Sequence, residues 1–281
     1  MWIICVVLFL FFAVIFTQFY KKTTESMKNA GTLTVLLQFL GGAFLLLFCP
    51  FFKFTLPTSP YVYLMYGIAC VFYAISDRLN TTVRSGLEAS TFSIVNQLTT
   101  VFMIIAGLLF FKEPFVLTKV LGASIIILSN VLIFFEKGKF TLNRYIGLAV
   151  IANLTYSTAL YLDVSICDDF NLAFYAALTL LGPCMIILIG ERVRFRSIKE
   201  EFTVGNRKNI LITSVAWGLL ILVELGAYKL GQATVVAPLF ALTAILNVIF
   251  GYFFLQEKDK LARKLIAGLL TIISVILISQ G

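Results

Sequence analysis

The chain carries one long stretch twice, and this repeat constrains its possible folds more than any other sequence feature. The two copies cover about residues 61–135 and 209–279, and each contains three apolar segments in the same order. A shift of 144 positions places residues 110–113 on 254–257, with a glutamate ending both, and Gly107 on Gly251. In a membrane chain, such a repeat predicts two related halves that face each other around a shared site.

The composition is that of a membrane protein. Hydrophobic residues make up 60% of the 281 positions and charged residues only 13%, whereas soluble domains average about 25% charged. There is no histidine, and the five cysteines lack the spacing of a metal site or a disulfide framework. We therefore expect no metal and no cofactor. The net charge of +8 lies in short loops, so we interpret it as a topology signal and expect no nucleic-acid partner.

Ten segments are long and apolar enough to cross a bilayer, which requires about 20 mostly apolar residues. They are residues 1–19, 31–52, 61–83, 87–111, 115–135, 144–162, 170–190, 209–228, 232–255 and 261–279. The first segment is interpreted as a retained span, because no basic region or cleavage site precedes it. The longest connection is a basic loop at residues 191–208, which is too short for a soluble domain.

Positive charges predict the orientation of these segments. Of the 22 Lys and Arg residues, 18 fall on one side of the membrane, side B, and four on side A, where the chain begins. Because basic loops stay in the cytoplasm, we expect side B to be cytoplasmic. Both termini and the acidic turn at 163–169, interpreted as a solvated loop, would face outward. We expect the protein in a cell membrane, plasma or inner, as a monomer or homodimer in contact with lipid.

Five segments per half is an odd number, so the second half must enter the membrane upside down relative to the first. The sequence thus predicts an all-α membrane protein of ten transmembrane helices, arranged as two inverted five-helix repeats around a central cavity. The first half covers residues 1–136 and the second residues 137–281.

The two repeated stretches resemble a known family pattern. Phe-Phe-Lys-Glu-Pro followed by Val-Leu-Gly-Ala-Ser, and Phe-Leu-Gln-Glu-Lys followed by Leu-Ile-Ala-Gly, are similar to the EamA-like pattern of a fourth-helix end with glutamate and a fifth helix with an early glycine. The resemblance implies the drug/metabolite transporter superfamily, with ten helices in two halves. Members of that family usually have both termini in the cytoplasm, whereas the charge count here places them outside.

The two signature glutamates are interpreted as structural caps. Glu113 precedes Pro114, and proline is preferred at the first position of a helix. A carboxylate at that point meets the positive end of the helix dipole. Glu257 begins its turn in the same way, so we expect Glu113 and Glu257 each to cap the helix that follows.

Polar residues inside the spans are the candidate substrate-binding residues, because charges within a membrane are costly and are often functional. Tyr73, Asp77 and Asn80 share one helical face, and Asp77 lies roughly 13 Å along the helix from the turn at Gly86. The neighbouring Arg78 could pair with a carboxylate, bind an anionic substrate group or reach side B. The remaining candidates are Asn96, Gln97, Thr100, Asn153, Tyr156, Trp217, Glu224, Thr243 and Asn247.

Such converging polar faces predict a wet central cavity and a secondary transporter that works by alternating access. Two carboxylates, an arginine, aromatics and amides suit a small zwitterion such as an amino acid, or an organic cation, better than a phosphate ester. Burial favours a neutral carboxylate and a nearby cation favours an ionised one. Arg78 or a substrate amine could therefore switch Asp77 between its protonated and charged states, so that Asp77 carries a coupling proton. The alternatives are a lipid-handling, flippase-like protein or a non-transporting scaffold. An enzyme is not expected, since no nucleophile–base pair or metal cluster is visible.

The charge bias gives a topology prediction. In a variant without native cysteines, Ser165→Cys should react with an impermeant maleimide on intact cells, because residue 165 is placed outside. Ser197→Cys should not react. Labelling at 197 but not at 165 would reverse the orientation.

Overall fold

The computed structural model describes residues 2–53, 55–110, 116–136, 139–140, 143–231, 236 and 239–280, with side chains except at 106–110, 134–136 and 139–140. Its helices, in chain order, are α1 (Trp2–Glu25), α2 (Ala30–Leu46), α3 (Pro60–Gly86), α4 (Ala89–Val95), α5 (Leu98–Phe110), α6 (Leu117–Phe134), α7 (Arg144–Ile166), α8 (Leu172–Gly190), α9 (Phe195–Val204), α10 (Arg207–Leu230), α11 (Thr243–Phe254) and α12 (Leu261–Ser279). A short antiparallel ladder pairs β1 (Phe135–Glu136) with β2 (Lys139–Phe140).

Seven helical segments of the described chain are long and apolar enough to cross a membrane. These segments are Trp2–Glu25, Ala30–Phe51, Pro60–Gly86, Arg144–Asp169, Leu172–Gly190, Arg207–Leu230 and Leu261–Ser279. Three shorter apolar segments, Ala89–Ile105, Leu117–Ile133 and Thr243–Phe254, fall within the predicted fourth, fifth and ninth spans. The prediction of a helical, multi-pass membrane protein is thereby confirmed.

The helices turn their polar faces inward and their apolar faces outward. On α3, Leu64, Val71 and Ile75 are exposed, whereas Asp77 and Thr81 are buried. This distribution is the reverse of that of a soluble helix, and it suits a surface that contacts lipid. The interior of the bundle is therefore the place where the polar side chains meet.

Asparagine residues start four of the long helices. The side chains of Asn29, Asn143, Asn171 and Asn206 accept hydrogen bonds from the backbone N–H three residues later, at 2.9–3.2 Å. Each bond satisfies one of the donors that a helix start leaves without a partner, which is why asparagine is favoured there. The helix starts are thus fixed locally by the sequence.

Helix packing links the two parts of the chain. The most extensive contacts join α1 to α10, α3 to α7, α2 to α8 and α6 to α12. Where α2 meets α10, a methyl group added to Gly41 would lie 2.8 Å from the carbonyl oxygen of Ser214. Only glycine permits this close approach, and small residues commonly form such contacts between membrane helices.

The predicted fourth span is not a continuous helix. A tight turn at Asn96 and Gln97 separates α4 from α5. At this turn the helical bonds shorten to the three-residue type, with the N–H of Thr100 donating to the carbonyl of Gln97 at 3.0 Å. The same bond occurs 144 positions later, where the N–H of Ala244 donates to the carbonyl of Ala241 at 3.0 Å. Two helices therefore change their winding at positions related by the sequence repeat.

The basic loop at 191–208 contains a helix that the sequence analysis did not predict. This helix, α9, packs on the connection between α1 and α2, where the Glu201 carboxylate accepts the backbone N–H groups of Lys28 and Asn29 at 3.0–3.3 Å. Partial burial raises the pKa of Glu201, and these two N–H bonds oppose the rise. Apolar residues at helical spacing, Phe195, Ile198 and Phe202, could have indicated this helix.

Glu257 is a helix cap, but the helix is not the one that the sequence analysis expected. Its carboxylate accepts the backbone N–H of Ala89 at 2.6 Å, the N–H of Ser90 at 3.0 Å and the Ser90 hydroxyl. Glu257 therefore caps the start of α4, in the other half of the chain, whereas the following helix, α12, begins at Leu261. The expectation for Glu113 lies outside the described residues.

Two further features hold this cap in place. A methyl group on Gly251 would lie 2.8 Å from the Glu257 carboxylate, so glycine makes room for the buried side chain. Next to it, the ammonium group of Lys264 lies 2.5 Å from the Glu88 carboxylate. Lys264 is only 2% exposed, so this pair is better shielded from solvent than an ordinary surface pair. Two carboxylates thus tie the start of α4 to the turn before α12 and to α12 itself.

Removing the cap should destabilise the protein. Glu257→Ala leaves buried N–H groups of α4 without acceptors, which should lower the free energy of unfolding by roughly 1–3 kcal/mol. The measurement is the apparent melting temperature of the purified protein in detergent. Glu200→Ala, which removes an exposed carboxylate of α9, is the control and should melt like the wild type. Unchanged melting with lost transport would mean that Glu257 acts in substrate binding or coupling.

Candidate functional site

A polar cavity of about 140 Å³ lies between the helices of the bundle. Helices α1, α3, α4, α7, α8, α10 and α11 all contribute to its wall. Its polar and aromatic lining residues include Thr17, Tyr20, Tyr73, Asp77, Asn80, Arg84, Ser93, Asn96, Tyr156, Asp163, Thr179, Trp217, Glu224, Thr243 and Asn247. An adjoining cavity of about 400 Å³ shares Asn96, Tyr156, Glu224 and Thr243 with the first.

Most of the candidate residues from the sequence lie around these two cavities. Nine of the twelve line the central cavity: Tyr73, Asp77, Asn80, Asn96, Tyr156, Trp217, Glu224, Thr243 and Asn247. Gln97 and Thr100 line the adjoining cavity. Asn153 lines neither. Its amide donates to the carbonyl of Ala149 within α7 at 2.7 Å and accepts the Thr99 hydroxyl at the start of α5 at 2.8 Å, so it joins α7 to α5.

Asp77 lies inside the bundle, and its neighbour in the chain does not. The Asp77 carboxylate is 7% exposed and accepts the side-chain N–H of Gln38 at 2.8 Å. Arg78 points away, pairs with the Glu191 carboxylate and donates to the Thr82 hydroxyl at 2.7 Å. Of the three alternatives for Arg78, the structure shows pairing with a carboxylate. The expectation that Arg78 could switch the charge of Asp77 is therefore wrong.

The cation that lines the cavity is Arg84, which the sequence analysis had counted among the loop residues of side B. Arg84 is 7% exposed, and its guanidinium carbon lies 3.8, 4.8 and 5.0 Å from the ring centres of Phe92, Tyr20 and Phe16. The helix continues to Gly86, so Arg84 is still helical and lies seven residues after Asp77 on the same face. That spacing was the signal that could have identified it.

Asp163 is the second correction. The sequence analysis placed it in a solvated acidic turn, but α7 continues to Ile166 and carries Asp163 into the interior, where it is 2% exposed. Its two carboxylate oxygens accept the hydroxyls of Tyr73 at 2.8 Å and Tyr175 at 2.6 Å. Only the later acids, Asp168 and Asp169, are exposed. The seven-residue spacing from Tyr156 could have indicated this inward face.

Aromatic hydroxyls link the acids of the cavity. Tyr156 packs edge-on against Tyr73 with ring centres 5.7 Å apart, and its hydroxyl lies 3.4 Å from the Glu224 carboxylate. Because Tyr73 donates to Asp163, these four residues of α3, α7 and α10 form one continuous polar cluster. Intramembrane acids are costly unless they are paired or hydrated, and here Asp163 and Glu224 each have a tyrosine hydroxyl within reach.

Some polar atoms of the cavity have no partner within the described part of the chain. They include the side-chain oxygen of Asn80 and the Nε and Nη1 groups of Arg84. Buried polar groups are normally hydrogen-bonded, so such atoms indicate bound water or a ligand. Within the same part of the chain, no group of three or more His, Cys, Asp or Glu residues could hold a metal ion.

Comparison with known proteins relates the first part of the chain to a transporter family. Residues 1–135 match the model of the EamA-like transporter family. The resemblance read from the sequence motifs is thereby confirmed, and it agrees with the drug/metabolite transporter superfamily. EamA-like proteins are membrane transporters of small molecules rather than enzymes.

The fold also has a solved counterpart. One crystal structure, described only as that of a protein, aligns over 97% of this chain and 95% of its own, with a TM-score of 0.55 and 14% sequence identity. At this identity the likeness concerns the fold alone. No curated protein matches the sequence.

The position of Asp163 can be tested by stability. Asp163→Ala removes the acceptor of two buried tyrosine hydroxyls, which should lower the free energy of unfolding by roughly 1–3 kcal/mol. Asp169→Ala, in the exposed part of the same acidic stretch, is the matched control and should not change it. Equal melting temperatures for the two variants in detergent would contradict the buried hydrogen-bonded carboxylate.

Proposed function

We propose that the protein is a secondary transporter that binds a small polar molecule in the central cavity and releases it on the other side of the membrane by alternating access. Its ten predicted membrane segments would form two inverted halves, residues 1–136 and 137–281, with the cavity between them. The observation that carries the proposal is the polar cavity itself, enclosed by helices of both halves in a chain with an EamA-like first half.

The broken helices support this arrangement. Substrate sites of transporters with inverted repeats are commonly formed by discontinuous helices. Here the three-residue turns at Gln97–Thr100 and Ala241–Ala244 are related by the 144-residue shift, and Asn96 and Thr243 beside them line the cavity. The unwound turns thus lie at the proposed site, where irregular backbone can be hydrated.

The pairing of helices supports it as well. If the halves correspond, α1 matches α7, α2 matches α8, and α3 matches α10. The contact of α1 with α10 then corresponds to that of α7 with α3, and the contact of α2 with α10 to that of α8 with α3. All four contacts are present. An arrangement that is unchanged when the halves are exchanged is expected of a pseudo-two-fold axis.

The contacts around the cavity indicate how access would alternate. The adjoining cavity includes Ser165 near the end of α7 and Lys119 near the start of α6, which are both on side A by the predicted topology. On side B, the Glu257 cap and the Lys264–Glu88 pair hold α4 against the second half. Opening side B would separate these groups, and closing side A would bring α5 and α7 toward α10. After both motions the cavity would be open to side B and closed to side A.

Asp77 is proposed as the main charged residue of the transport site, with Glu224 as its weaker counterpart. Asp77 lies deep in α3, and a single amide N–H from Gln38 accompanies its carboxylate. A substrate ammonium group or a proton could therefore compensate its charge. The cluster of Asp163, Tyr73, Tyr156 and Glu224 extends toward side A and would attract cationic groups into the cavity.

Transport by this site predicts a specific pattern of mutant activity. Purified protein in liposomes should exchange at least one small zwitterion or organic cation in a counterflow assay. Asp77→Asn should fold but lose proton-driven accumulation, because the amide cannot carry the proton, while downhill exchange can continue. Glu224→Gln should lose less.

The exposed Glu200→Gln is the control for this assay and should behave like the wild type. If Asp77→Asn kept wild-type affinity and pH dependence, Asp77 would be a structural residue. The amides and hydroxyls of the other helices would then have to bind the substrate without it.

A further inference from the structure

The guanidinium of Arg84 is a charged group of the cavity that no ion pair or hydrogen bond within the described part of the chain accounts for. Arg84 is 7% exposed, and its Nε and Nη1 groups are buried without acceptors among the described residues. An arginine remains charged in proteins and carries five donors. Each N–H donor buried without an acceptor raises the free energy of the folded protein. We therefore expect water or a ligand to supply the missing acceptors.

The neighbours of Arg84 compensate only part of this cost. Rings of Phe92, Tyr20 and Phe16 lie 3.8–5.0 Å from the guanidinium carbon, and such cation–π contacts stabilise the charge. Ring faces attract the cation but do not replace the oxygen acceptors that N–H donors take. Among the described ion pairs none includes Arg84, and the carboxylate of Asp77 accepts from Gln38 instead.

We propose that Arg84 binds a carboxylate of the transported molecule, and that this molecule is a small amino-acid-like zwitterion whose ammonium group faces Asp77. This inference rests on the proposed transport function and selects one of its two substrate classes, the zwitterion rather than the organic cation. The donors of a guanidinium have a fixed geometry that suits a carboxylate, which they can bind through two N–H bonds at once.

The charges around the cavity favour a carboxylate over a phosphate. Asp77, Asp163 and Glu224 all line it, against a single arginine. A dianionic phosphate would meet three acids and one cation, whereas a zwitterion brings one charge of each sign. Asp77 and Arg84 are seven residues apart on one face of α3, roughly 10 Å along the axis. Side chains on helices lean toward the N-terminus, so the guanidinium leans toward Asp77 and shortens the gap that the zwitterion spans.

The test measures binding with matched probes. Purified wild-type protein is titrated with alanine, threonine and leucine, with their C-terminal amides, and with the acids that lack the amine: propionate, 3-hydroxybutanoate and 4-methylpentanoate. The readout is the apparent melting temperature as a function of probe concentration. We expect at least one amino acid to stabilise the protein, and its amide and its deaminated acid to require concentrations at least about tenfold higher, because each loses one charged hydrogen-bonded contact.

Variants then test whether Arg84 is the residue responsible for amino-acid binding. Arg84→Gln should weaken amino-acid binding by roughly tenfold to a hundredfold and leave the weak binding of the amide within about twofold. Arg84→Lys keeps the charge and should bind at an intermediate strength, which provides a second variant if the glutamine variant does not fold. Arg78→Gln is the matched control on the same helix, since Arg78 pairs with Glu191 outside the cavity, and it should bind like the wild type.

The results that would contradict the role of Arg84 can be told apart from those that would contradict the transport function. Equal binding of an amino acid and its amide to the wild type, or unchanged amino-acid binding in Arg84→Gln, would overturn the role of Arg84. Counterflow of choline or leucinamide without counterflow of any amino acid would also overturn it and leave the protein a transporter. If none of the probes is bound or exchanged by the wild type, the transport proposal and the Arg84 proposal are both wrong.

Discussion

The cost of placing polar groups in a bilayer is the constraint on which this structure depends. A charged side chain that faces lipid is unfavourable, so every helix with polar residues must turn them toward other helices. On α3 this rule places Tyr73, Asp77 and Arg84 on the inside and leaves Val71 and Ile75 outside. The bundle therefore has a polar interior and an apolar surface. The central cavity follows from that arrangement, because side chains with charge need space for water or substrate.

The same constraint explains how the ends of the helices are joined. A helix start within the protein has N–H groups without partners, and the carboxylate of Glu257 satisfies those of α4. The acceptor comes from the turn before α12 rather than from the local sequence. Packing between the first and second parts of the chain is thus specified by polar contacts as well as by close helix approach, and the proposed opening of side B would replace these bonds with water.

Sequence periodicity was sufficient for predicting a helical, multi-pass membrane protein and for much of the candidate site, because apolar length and helical faces depend on local spacing. It located Asp77, Tyr156 and Glu224 on faces that meet at the cavity. It missed Arg84 and Asp163, since both lie in the last turn or two of helices that extend beyond the apolar segments. It could not show that Asn153 packs against Thr99, or that Glu257 caps a distant helix, because those contacts depend on tertiary structure.

The central claim is that the cavity between the two halves is reached by water from each side of the membrane in turn. Thr243 lines both cavities beside a broken helix, which makes it a suitable reporter. The decisive measurement is the reaction of Thr243→Cys, in a variant without native cysteines, with an impermeant methanethiosulfonate reagent in right-side-out and in inside-out vesicles. Alternating access predicts modification in both orientations. Modification from one side only would contradict it, since the cavity would then be a fixed pocket.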